Sequence, residues 1–256
     1  MVLNPIRVTL ENLPVDYHSP IAKPLHPKDP SMGTNTVPFT RDIFIDADDF
    51  RTVADKDFFR LCPGASVGLL NVPHPISYVS HDVDGEGKVT SIVCRYENEG
   101  PASKQKPKAF IQWVAQHEAS SSPVKIAETR IFSRLFKSDD PASLGDDYIK
   151  DIDPASLKRV EGAIVEVGVW KVIEDSLARA KKAVEDRQEQ AKKDGIEAPP
   201  QVDGVEAIRF QGQRVAYFAL DLDSHLAEGG VGKGDDKLVL NLIAPLKQDA
   251  GAGKKV

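Results

Sequence analysis

Along most of this chain, apolar and polar residues alternate in short runs closed by turn residues. Asp42-Ile43-Phe44-Ile45-Asp46 is the clearest run, and such alternation predicts a half-buried strand. Asp48 then reads as the cap of a short helix through about Phe59, stopped by Pro63-Gly64. Val67–Asn71, Ile76–Asp82 and Val89–Tyr96 read as strands, the last two joined by the turn Gly85-Glu86-Gly87. Ala109–Ala115 and Val124–Phe136 follow, and then a loop of Asp, Pro, Ser and Gly. Ala207–Phe210 and Arg214–Leu220 flank Gly212 as a hairpin, and Leu238–Ile243 is the last strand.

One segment keeps a different period. From Lys171 to about Asp194, Ile173, Leu177, Ala180, Val184 and Ala191 fall on one narrow stripe at helical spacing. Its seven basic and seven acidic side chains over 171–197 suit pairing at i,i+4. Gly195 is a natural stop, and Ala198-Pro199-Pro200 begins an extended linker. The narrow stripe predicts an accessory helix outside the shared core, with a docking arm for a partner as the alternative.

Many short strands with regular turns point to a mainly β fold of barrels or sandwiches. The patterns Asn4-Pro5-Ile6-Arg7-Val8 and Ser122-Pro123-Val124-Lys125-Ile126 echo each other. They suggest two similar β units, residues 1–121 and 122–256, with a helical insertion at about 171–197. The last strand, 238–243, is a candidate to return to the first unit.

Composition narrows the function. No run approaches 18 consecutive apolar residues, which excludes a helical membrane span, and no secretory leader is visible at the amino terminus. Cys62 and Cys94 are the only cysteines, too few for a disulfide framework or a Cys-based zinc cluster, and they suit a reducing cytoplasm. No GxSxG elbow, Walker spacing or paired-histidine motif occurs; the glycines of 229–234 read as a flexible loop, and His26-Pro27 and His74-Pro75 as turns. The net charge of −6 opposes nucleic-acid binding overall. Residues 101–137, however, carry seven Lys or Arg against two Glu, which permits a local polyanion-binding face. A binding module is the reading these absences favour. Arg and Gln near turns suit single-stranded RNA, because the arginine fork spans guanine O6 and N7.

The run His26–Phe39 (HPKDPSMGTNTVPF), followed by Asp42–Arg51 (DIFIDADDFR), closely resembles the anticodon-binding region of glutaminyl-tRNA synthetases. The likeness continues through Lys106–Val114, Arg134-Leu135-Phe136, Asp151–Pro154 and Tyr217-Phe218, and it is of a eukaryotic, fungal-like type. It implies two consecutive six-stranded β barrels that bind the anticodon loop of glutamine tRNA in a monomeric, cytoplasmic protein. Catalysis, with ATP and magnesium, would belong to a separate domain whose HIGH and KMSKS signatures are absent here, so this region itself needs no cofactor or metal. Met1 is then expected to open partway into a longer protein.

The resemblance also implies site residues. Arg60 matches the arginine that contacts a guanine at the third anticodon base, and Gln211 and Arg214 match residues that hold the middle uracil. Gln213, Asp57, Lys104 and Lys108 complete the candidate set, the lysines as phosphate contacts. For Arg60 the alternative is a helix-end cation, and for the Gln211–Arg214 segment an ordinary polar hairpin. Gly68 stands where bacterial members carry an arginine near the first base, and Asp57 stands where they carry a glutamine. A further arginine of the middle-base pocket would lie just upstream of Val2. The corresponding domain of a glutamyl-tRNA synthetase, a protein-interaction module without RNA and a ribosomal-type RNA binder are the competing classes.

Overall fold

In the computed structural model, residues 1–246 apart from 27, 105, 199 and 201 are described. Pro27 of the first proposed turn and Pro199 of the linker lie outside them. The strands are β1 Pro5–Leu10, β2 His18–Pro24, β3 Thr34–Thr40, β4 Asp42–Asp46, β5 Ser66–Leu69, β6 Ile76–Val83, β7 Val89–Tyr96, β8 Phe110–Ile111 and β9 Trp113–Ala115 in the first half. The second half holds β10 Val124–Lys125, β11 Glu128–Phe132, β12 Leu157–Val160, β13 Ile164–Val165, β14 Arg209–Gly212, β15 Ala216–Leu220 and β16 Val239–Pro245, with helix α1 at Val169–Asp194.

The first sheet has seven strands in the order β8-β5-β6-β7-β1-β4-β9. Its two outermost strands are separated in sequence by the single residue Gln112. Adjacent residues cannot lie at opposite edges of a flat sheet, so this one curls into a nearly closed barrel. The second sheet has the order β12-β11-β16-β15-β14, with β10 and β13 as a separate pair. The same plan underlies both. In each sheet the first strand pairs antiparallel with the second and parallel with the fifth (β1 with β4 and β7, β11 with β12 and β16). The fifth strand pairs antiparallel with the fourth, and the fourth with the third, as β7-β6-β5 and β16-β15-β14.

Two barrels of six strands each are not what forms. Seven strands join in the first sheet because 109–115 is cut at Gln112 into β8 and β9, each with its own neighbour. The second sheet has five because its entry strand changes partner. Ile126 N–H donates to Ala163, and Ala127 N–H to Leu238, so Val124–Lys125 pairs with β13 before β11 joins the sheet. The last strand lies between β11 and β15 and does not return to the first unit.

Each unit has its own core. Phe39, Ile43, Ile45, Leu61, Ile76, Ile92 and Trp113 are among the residues filling the first. Ile126, Ile173, Ile208, Phe218 and Leu240 are in the second. Val2, Val114 and Ile164 pack between them, where Val2 and Ile164 pair their backbones. The β2–β3 hairpin, which the pattern did not predict, spans both units. Its Asn35 amide donates to the Gly168 carbonyl at 3.3 Å, and its buried Lys23 ammonium sits 3.4 Å from Glu166 and 4.3 Å from the Trp113 ring centroid.

Helix α1 is not an accessory at its start. Val169 and Ile173 are buried in the second core with Trp170 and Leu177 against it, and only the later turns are largely exposed. The glycine loop is likewise seated: a side chain at Gly232 would meet the Trp170 ring at 2.8 Å, and Asp236 accepts the Gly232 N–H. The helix expected over 48–59 also fails to form. A single 3-10 turn, Ala47–Asp49, is capped by Asp46, after which Arg51 N–H donates to the Leu61 carbonyl and Leu61 N–H to the Asp49 carbonyl, around a loop. Phe50 and Phe58 are buried on that loop, and a continuing helix would consume the donors and acceptors that close it.

Candidate nucleic-acid interface

Arg60 lies at a bend just before Leu61, whose N–H is tied to the 3-10 turn, and no helix ends there, so it is not a helix-end cation. Its Nη1 donates to Asp49 Oδ1 at 2.6 Å and to the Asp48 carbonyl at 3.5 Å. Its other amino edge has no hydrogen-bond partner among the described residues. Asp49 is buried, and burial pushes its carboxyl from 3.8 up to about 7; Arg60 opposes the shift, while Asp46 and Asp48 reinforce it. Arg60 is therefore oriented by an acid that is itself half-titrated near neutrality.

Phe59, one residue earlier, is exposed, and the Lys108 ammonium stands 5.8 Å from its ring centroid. Lys108 leads into β8, where Phe110 is also exposed. The Phe110 carbonyl accepts a hydrogen bond from Arg214 Nη1, so the second unit reaches the first at this point. Arg214 sits in the β14–β15 turn with φ +64°, closed by Val215 N–H donating to Gly212. Gly212 is required there, because a Cβ would meet the Phe218 ring at 2.8 Å. Gln211 and Gln213 are exposed on the same hairpin, and Gln211 pairs across the strands with exposed Tyr217.

Five of the seven predicted residues lie on or next to segments that meet here: Arg60 follows Phe59, which faces Lys108, and Gln211 and Gln213 share the hairpin of Arg214, which binds Phe110. Asp57 does not join them. Its N–H is held by Asp55 at 3.0 Å, and its exposed carboxylate has no contact with Arg60. Lys104 ends a separate 3-10 turn, Pro101–Lys104, and is exposed. The basic run of 101–137 is narrower than its count implies. Arg130 is held by Glu128, Asp221 and Asp223, and Arg134 by Asp139. Sequence reasoning missed Asp49 and the three exposed rings Phe59, Phe110 and Tyr217. Alternation gave no sign of Phe110, because Gln112 and Val114, two and four residues on, are buried.

The arrangement holds the kinds of group that modules for single-stranded nucleic acid use: exposed rings, an arginine with an open edge, amides and lysines. Family models place it further. Residues 1–97 match the anticodon-binding domain of the class I tRNA synthetases for E and Q, and residues 110–178 match a second model of the same description. The chain belongs to this family of anticodon-binding domains. A probable glutamine–tRNA ligase of Schizosaccharomyces pombe is 38% identical over 98% of the chain, which covers 28% of that protein. Glutamine–tRNA ligases of Saccharomyces cerevisiae (35% identical over 96% of the chain, 29% of the protein) and Pseudoalteromonas atlantica (34% over 87%, 34% of the protein) are similar too. The chain spans about a third or less of the length of these relatives.

Proposed function

We propose that this chain reads the anticodon of glutamine tRNA as the anticodon-binding part of a glutamine–tRNA ligase. The observation that carries the reading is the junction at which Arg214 of the second unit binds the Phe110 backbone beside Lys108 and Phe59 of the first. A single-stranded loop laid across that junction meets groups from both units at once. Arg60 presents its remaining N–H edge to guanine O6 and N7, with Asp49 holding the guanidinium from behind. Gln211 and Arg214 address the edge of the middle base, and Gln213 extends the same hairpin. Lys108 and Lys104 neutralise phosphates as a monomer docks. Attachment of glutamine, with ATP and magnesium, belongs to another part of such a ligase, and this region acts by positioning the tRNA.

Gel shifts with glutamine tRNA and with a second tRNA, at low and at high salt, test the proposal. Preferential binding of glutamine tRNA that weakens steeply with salt is the expected result. Equal binding of both tRNAs, or none, overturns it, and the second outcome returns the chain to a protein-interaction role.

A further inference from the structure

Resting on the RNA-binding reading above, we propose that Phe110 is a fixed stacking platform for one splayed-out RNA base, using the space that Gly68 leaves without a side chain. A Cβ built on Gly68 would stand 2.4 Å and 2.5 Å from Phe110 Cδ1 and Cε1, and 2.9 Å from Pro107. The Phe110 ring therefore lies directly on the Gly68 backbone, and no other residue type fits beneath it. Phe110 is nevertheless 39% exposed, at the point where Arg214 of the second unit meets the first.

Its backbone is held on every side. Gly68 N–H donates to Ala109 at 2.9 Å, Leu70 N–H donates to Ile111 at 3.1 Å, and Arg214 caps the Phe110 carbonyl. A ring so anchored gives up little freedom when a base settles on it. Of the four other exposed Phe and Tyr side chains among the described residues, Phe59 faces Lys108, two residues before Phe110, and Tyr217 is on the strand that follows Arg214 in the hairpin. Stacking on Phe tolerates any base because every base has a π-face. The base over Phe110 is consequently gripped without being discriminated, unlike the one met by the Arg60 fork.

The test uses the anticodon stem-loop of glutamine tRNA carrying 2-aminopurine at one loop position at a time. Wild-type protein should change the emission of one position strongly on binding. Phe110→Leu should abolish that change and weaken binding about ten-fold, whereas Phe110→Trp keeps both. An unaltered emission change and affinity in Phe110→Leu overturns the proposal. Should Phe110→Leu fail to fold, Phe110→Trp decides alone: its added indole emission must be quenched by unmodified stem-loop, and emission that ignores the RNA overturns the proposal. Wild-type protein that binds no stem-loop defeats the anticodon reading itself. Stem-loop binding that Arg60→Ala weakens and Phe110→Leu does not defeats only the platform.

Discussion

At the scale of single residues, Arg60 and Asp49 form one unit with two separable consequences. A carboxyl raised from 3.8 to about 7 keeps, in the folded state, a proton that the unfolded chain releases near pH 4. The stability this confers is fully present below pH 4 and is lost as pH rises to about 7. Asp49→Asn should therefore flatten the pH dependence of the melting temperature between pH 5 and 8, and differential scanning calorimetry across that range checks it. Arg60→Ala removes the partner that favours the charged form and leaves a buried carboxylate alone. It should cost about 2 kcal/mol at pH 8, less than a fully buried pair loses, and less still at pH 5, measured by urea unfolding. If the fork reads guanine, the same variant loses about 1–3 kcal/mol of discrimination at that base in binding titrations. Lys104→Ala, by contrast, should weaken binding to all tRNAs alike and lower the salt slope by about one.

At the scale of elements, α1 divides into a half that packs and a half that is mostly solvated. Ile173 is fully buried, so Ile173→Ala should cost about 2–5 kcal/mol in urea unfolding. Replacing 181–198 with a short Gly/Ser connection should leave cooperative unfolding intact, because loop-closure entropy changes slowly with length. Replacing 171–203 should instead break the second core, the opposite of what the narrow alanine-rich stripe alone predicts. Periodicity locates this helix to within two residues of its start and at its stop. It gives no sign that Trp170 meets Gly232 or that Val169 closes the core, because those partners are about 60 and 40 residues away. Strand β4 was legible for the converse reason: its alternation is local and complete.

For the whole molecule, the β2–β3 hairpin adds a polar tie between the units to the one that Arg214 makes with Phe110. Burial lowers the Lys23 ammonium from its ordinary value, and Glu166 opposes that shift. Lys23→Ala uncovers Trp113 and strands Glu166, so the melting temperature should fall by several degrees. A double-mutant cycle with Glu166→Gln should return a coupling of about 0.5–3 kcal/mol; zero coupling would show the two groups to be independent.

What the sequence determined by itself was the β class, most strand positions, the two-unit echo and the family, all carried by local pattern or contiguous motif. The two sheets share one order and one set of directions over five strands, although the second half of the echo falls on β10, outside the second sheet. Only the tertiary structure decided how many strands each sheet holds, that Arg60 is held by a buried acid, and that Arg214 reaches Phe110. Each of these depends on contacts between residues far apart in the chain or on burial, and neither is written in local alternation. The helix expected over 48–59 failed for that reason, since the pairing of Arg51 with Leu61 outweighed a weak local preference.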